Sequence, residues 1–311
     1  MFDGEWLFGS YMMSGMGFGQ IAVQHPGLKE KNVALMELCI ENILSDKVKA
    51  FDIECWREDP IDTLDSGKGH VAYLGYLNLL MSFCRSLKPD MKFAGLNDKI
   101  SGVLKKRLES AKGMMSETYP CEVYPVDNCA AFASVALHAK ATASDCSAFV
   151  KKWLKNFEKF IDPESGLIYQ SIDSSSGFPY DHPRGSGTFL SIYFLSFADM
   201  EFSRQLYFKA KKHTFNKFFG FGVVREYPPG VSGLGDIDSG PVIFGWGLSP
   251  TGFMIAGSRI HGDEDVYSRL YATVYAWGAP VESGNRIKFV SGGSLGNAIM
   301  FAMLTAGGKG E

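Results

Sequence analysis

Proton transfer in an enclosed site needs carboxylates, imidazoles or phenols held close together and walled off from water. In this chain such groups gather at a few turns. Glu5, His70, Asp127 and Asp238 each stand at or just before the start of a small, apolar segment, and Tyr11, Tyr76 and Cys121 lie close by in sequence. These seven are the candidate acid–base residues. Trp6, Tyr73, Asn128, Tyr180, His182, Arg184, Phe244 and Trp246 share the same turns and segment starts. They are the candidate substrate-binding residues, with rings for walls and stacking and three polar groups for orientation.

Each of these residues also has a purely structural use. Asp127 precedes a helical pattern, where an aspartate ordinarily caps the helix. Asp238 and Ser239 suit a turn, His70 suits a first-turn bond to backbone, and Arg184 suits a surface pair with Asp181. Tyr73 and Tyr76 are three apart, as two core residues on one helix face would be. Cys121 reads by default as a buried thiol. Only convergence of the groups in space makes a site.

The elements that must bring about convergence are visible as an alternation. Six segments open with a Gly-, Pro-, Asp- or Ser-rich turn and then become small and apolar. They are residues 6–24, 70–83, 128–138, 185–197, a helix opening at Ser249-Pro250, and 294–304. Between them run amphipathic stretches with a charged face, over residues 28–45, 96–116, 144–160, 199–215 and 264–276. Helices apolar all round are buried, and helices with one charged face lie at the surface.

The alternation predicts helix hairpins, and six buried helices closing on themselves make an all-α (α/α)6 toroid. It would form one domain over residues 1–311, with its last hairpin incomplete. An irregular all-α domain or an open solenoid are the alternatives. If the buried helices run parallel, their N-termini and the turns before them meet at one mouth, where free N–H groups carry partial positive charge.

Composition narrows the partners. Apolar residues make up 46% of the 311, the formal net charge is −3, and both signs are spread along the chain. No basic patch suited to nucleic acid is present. Cys39, Cys55, Cys84, Cys121, Cys129 and Cys146 include no CxxC pair, so neither a zinc knuckle nor a thioredoxin-type site is expected. HExxH and GxSxG are absent. Gly15-Met16-Gly17-Phe18-Gly19 follows no strand pattern, so these glycines read as room for close helix packing, not as a dinucleotide loop. The expected partner is a small-molecule substrate, with no metal or cofactor.

The longest apolar run, residues 241–260, is broken by Gly, Ser and Pro, and no membrane span is expected. The first residues lack a basic region followed by an apolar one. The expectation is a soluble protein without a leader in this chain, cytoplasmic, or periplasmic had a leader been trimmed from its abrupt start.

Several short patches resemble the linalool dehydratase-isomerase family. Glu5-Trp6-Leu7-Phe8 with Tyr11 is similar to the family's acidic residue followed six positions later by a tyrosine. Residues 73–80, Tyr-Leu-Gly-Tyr-Leu-Asn-Leu-Leu, are similar to its Gly-His-Leu-Asn patch, with Tyr76 where the family has histidine. Cys121-Glu122 is similar to its Cys-Glu segment, and the family's second cysteine has no clean match, Cys129 lying eight positions on. The resemblance implies an (α/α)6 barrel and cofactor-free acid–base chemistry in an apolar pocket, adding or removing water at an alkenol and shifting a double bond. The family's characterised member is an oligomer, so the resemblance also implies a homo-oligomer.

Three functions compete. The first is a lyase or isomerase acting on a small apolar alcohol or alkene, with Glu5, Tyr11 and Tyr76 moving protons and Cys121 as donor or wall. The second is a carbohydrate-active enzyme, a glycosidase, polysaccharide lyase or epimerase. There, carboxylates such as Asp127 and Asp238 would flank a sugar stacked on Trp6 or Trp246. The third is a non-enzymatic toroid that binds a peptide, lipid or protein.

Overall fold

The computed structural model describes residues 2–236, 239–284 and 286–307. Twelve α-helices dominate them. The first six are α1 (Phe2–Gln24), α2 (Lys29–Ile43), α3 (Asp46–Trp56), α4 (Val71–Leu87), α5 (Ala94–Ser110) and α6 (Pro125–Ala141). The rest are α7 (Ser147–Phe157), α8 (Gly185–Ala198), α9 (Met200–Thr214), α10 (Leu248–Ile260), α11 (Glu264–Trp277) and α12 (Gly293–Thr305).

Six of them pack on one another. α1 lies against α4 and α12, α4 against α6, α6 against α8, α8 against α10, and α10 against α12. We call these six the core helices. The others carry the charged faces and lie on them: α2 on α1 and α4, α5 on α4 and α6, α7 on α6, α9 on α8, and α11 on α10. The two kinds alternate as the apolar patterning predicts. The 28–45 stretch, however, ends in a break at Leu44-Ser45, and the unexpected α3 follows, packed on α1. The fifth core helix starts at Leu248 with Gly247 as its N-cap, so Ser249 is inside the helix and is not its cap.

Close approach is built into α1. A Cβ on Gly15 would lie 2.7 Å from the Leu80 side chain, and one on Gly19 2.4 Å from Phe83, both on α4; one on Gly17 would meet Phe301 of α12 at 2.5 Å. Side chains there would force the helices apart. A buried polar network adds register between α4, α5 and α6. The Asn78 amide donates to Ser101 Oγ (3.0 Å) and Ser134 Oγ (2.8 Å), and the Asn97 amide donates to Asn78 Oδ1 (2.8 Å) and Ser82 Oγ (3.0 Å). Every partner in that set is satisfied by another, which makes its burial tolerable.

Short antiparallel ladders occupy the turns before the later core helices. β1 (Glu122–Val123), β2 (Ile168–Tyr169), β3 (Ile172–Asp173) and β4 (Pro183–Arg184) pair as β1–β3 and β2–β4. β5 (Phe215–Phe218), β6 (Phe221–Arg225), β7 (Val242–Ile243) and β8 (Trp246–Gly247) form one sheet in the order β5-β6-β8-β7, and β9 (Pro280–Ser283) pairs with β10 (Arg286–Phe289). All-helical patterning did not anticipate these strands. All six cysteines are free. Among the described residues no helix is long and apolar enough to cross a membrane.

Candidate functional site

A cavity of about 760 Å³ opens where the core helices begin. α1 lines it with residues 5–10, Met12 and Met13, α4 with Ala72 and Tyr76, α6 with Asp127, and α8 with Leu190. α10 adds Leu248 and Phe253, α12 adds Leu295 and Ile299, and α3 adds Phe51. All six core helices contribute from their N-terminal halves. Most of the wall is apolar, and two carboxylates, Glu5 and Asp127, stand in it.

Each carboxylate holds a phenol. Tyr76 OH donates to Asp127 Oδ1 at 2.8 Å, and Tyr119 OH donates to Glu5 Oε1 at 2.6 Å. Burial, with the neighbouring charge of Asp127, pushes the Tyr76 hydroxyl well above the ordinary phenol range. Burial and then Glu5 do the same for Tyr119. Both phenols therefore keep their protons and act as donors. The Tyr76 ring meets Phe194 edge-on at 5.2 Å and Phe8 at 6.3 Å, which fixes its direction.

Local sequence explains these positions. Pro125 occupies the first turn of α6 and Tyr124 is its N-cap residue. Asp127 is thus the third helical residue, not the cap, and its charge sits at the positive end of the helix. Tyr119 comes from a tight turn in which its N–H and C=O bridge to Glu122. Nothing in its sequence surroundings singles it out; its partner lies 114 residues away. The only local signal is the Tyr-Pro-Cys turn just before a core helix.

The other predicted residues fall elsewhere. Trp6 is on the cavity wall and 40% exposed. Tyr11 is half-buried against the core and is not a wall residue. His70 is fully buried, with its Nδ1 2.6 Å from Asp52 Oδ2, its Nε2 3.3 Å from Glu58 Oε1, and the Trp56 ring 4.7 Å away. It joins α3 to the start of α4 and does not line the cavity. Burial raises Asp52 above the usual carboxylate range although His70 opposes it. Lys68 and Ser66 hold Glu58 down to about 2.

Tyr73 is fully buried and donates to Ile43 O at 2.9 Å, which is a core role. Asn128 is buried too; it accepts from Ser116 N (2.8 Å) and donates to Ser116 O and Tyr124 O, stapling the turn before α6. Cys121 is exposed at the tip of the Tyr119–Glu122 turn, with φ 67°, and is not the buried thiol expected. Tyr180 and His182 are exposed in the loop before α8, and Phe244 is exposed at the β7–β8 turn. Trp246 is half-buried in β8. None of these four lines the cavity. Asp238 lies outside the described residues.

Arg184 does not pair with Asp181 at the surface. It is buried, donates from Nε to Glu226 Oε1 at 2.7 Å and from Nη1 to Asp236, and stacks on Tyr227. Glu226 also accepts from Ser186 N (3.2 Å) and Ser186 Oγ (2.6 Å). This buried ion pair closes the N-terminus of α8.

A second cavity, of about 330 Å³ beside Arg107 and Lys112, holds none of the predicted residues. Among the described residues no three His, Cys, Asp or Glu side chains group as metal ligands. No protein-family model matches the chain, and no curated protein matches it.

Proposed function

We propose that this chain is an acid–base enzyme, a lyase or isomerase that acts on a small, largely apolar alcohol or alkene inside an (α/α)6 toroid. The observation that carries the reading is the pair of carboxylates, Glu5 and Asp127, on the wall of one largely apolar cavity, each hydrogen-bonded by a phenol, Tyr119 and Tyr76 respectively. One couple delivers a proton to the leaving hydroxyl as the C–O bond breaks. The other carboxylate takes a proton from the adjacent carbon, leaving an alkene and water; the reverse adds water. Phe8 and Phe253 on the wall place aromatic rings beside positive charge developing on carbon.

The test is to incubate the purified chain with small alkenols and follow alkene and alcohol by gas chromatography. Asp127→Asn and Glu5→Gln should each lower turnover by about 10²–10⁴-fold at an unchanged unfolding temperature. Lost stability with turnover retained would leave these carboxylates only a structural role.

One observation favours the carbohydrate reading: Trp6 stands partly exposed on the same wall as the two carboxylates. Turnover of glycosides and none of alkenols would decide for it.

A further inference from the structure

Large apolar side chains are left exposed on the turns that precede the core helices. Phe178 (71%) and Tyr180 (79%) lead into α8, Phe219 and Phe244 into α10, and Ile287 (42%) and Val290 (53%) into α12. These turns lie at the end of the molecule where the helix N-termini line the cavity. Large exposed apolar side chains gathered at one end mark a protein or membrane contact.

Phe219 and Phe244 are the informative pair. Each is 86% exposed, and each fills the first position of a two-residue hairpin loop followed by glycine. Their φ values are 53° and 54°. Such loops ordinarily take Asn or Asp, because a bulky side chain at positive φ is strained. The chain thus accepts backbone strain and wet aromatic surface at two tips. The two rings are not isolated. Phe219 touches Phe218 (4.9 Å between centroids), Phe218 touches Trp246 (5.9 Å), and Trp246 touches Phe244 (6.4 Å). Leu248, just after Trp246, is 63% exposed and is itself a cavity wall, so the patch runs into the mouth.

We propose that this end of the molecule docks on a lipid bilayer surface, with Phe219 and Phe244 entering the acyl boundary. The Phe218, Phe219, Trp246 and Phe244 rings form one group, and the other exposed apolar side chains project from separate turns. A fluid medium accepts such points without matching holes, whereas a rigid partner has to supply a hole for each. The hairpins also carry exposed Lys217, which pairs with Asp265 at 2.9 Å, and exposed Arg286 and Lys288, with Glu282 on the facing strand hydrogen-bonded to Tyr275. Arg286 and Lys288 of β10 can meet lipid phosphates beside an apolar anchor. Tryptophan between them suits the headgroup region. The inference does not depend on the reaction proposed above; on that reading, a lipid-soluble substrate would pass from bilayer to cavity without crossing water.

The experiment is flotation of the full chain with phosphatidylcholine vesicles containing a minor share of phosphatidylglycerol, without substrate. The wild type should float, with its tryptophan emission shifted to the blue. A Phe219→Asn, Phe244→Asn double variant should lose about ten-fold or more in partitioning. Asparagine tolerates positive φ, so the variant's unfolding temperature should stay level or rise. Lipid docking is overturned if the wild type stays in the aqueous fraction, or if the variant floats as well as the wild type. It is also overturned if sedimentation shows, in place of vesicle binding, a dimer that the variant dissolves; a second copy then covers this end.

Discussion

Asp127 shows how much a side chain's partner changes its meaning. An aspartate at the start of a helix is ordinarily a cap, yet here Tyr124 holds the cap position and Asp127 accepts from Tyr76 across to α4. Glu5 and Tyr119 repeat the arrangement from α1 to the turn before α6. A hydrogen bond to a carboxylate is worth about 1.5–3 kcal/mol, and its direction fixes where the remaining lone pairs point. Tyr119→Phe should therefore leave Glu5 less well oriented. We expect kcat to fall by about 10–100-fold with KM little changed, and stability to fall by about 1.5–3 kcal/mol. Steady-state kinetics on a turned-over alkenol, paired with thermal unfolding, checks both. A rise in KM alone would make Tyr119 a binding group.

At the scale of elements, the start of α8 depends on a charge brought from far away. Glu226 follows β6 and reaches the first turn of α8, where it accepts from Ser186 and from Arg184. A carboxylate at a helix N-terminus is favourable. Both members of the pair are buried, so losing one strands the other. Glu226→Ala or Arg184→Ala should each cost about 3–5 kcal/mol. Denaturant unfolding would read this as a lower midpoint with an unchanged slope. A cost near that of an exposed pair would mean that water reaches Arg184 in solution.

For the molecule as a whole, His261 ties stability to pH. It stands at the end of α10, with Nε2 3.0 Å from Ser203 Oγ and its ring 5.4 Å from that of Tyr207, both on α9. Burial, then the positive charge of Arg204, pushes it down to about 4, with Glu201 opposing. Below its ordinary value of 6.5 the unfolded chain takes up a proton that the folded chain refuses until about pH 4. The His261 contribution is thus complete above pH 6.5 and is lost as pH falls from 6.5 to 4, to the extent of about 1–3 kcal/mol. His261→Gln should remove that loss. Between pH 7 and pH 4 the wild type should lose about 1–3 kcal/mol of unfolding free energy relative to the variant; parallel curves would place the acid lability elsewhere.

The chain's own patterning was enough to mark the alternation of buried and charged helices and the gathering of carboxylates and phenols at the starts of the buried ones. Apolar spacing and turn residues act within a few positions, so they can be read without tertiary contacts. Glu5, Tyr76 and Asp127 were legible for that reason, and the glycines of α1 as packing sites likewise. Strands of two to five residues carry too short a pattern for alternation to declare itself, so β1 to β10 were hidden. Which polar group meets which was hidden as well: Tyr119 for Glu5, Asp52 for His70, Glu226 for Arg184. Those pairings form only when distant segments pack. Burial then decides whether a charged or polar side chain faces the cavity, ties two segments together, or stays in water.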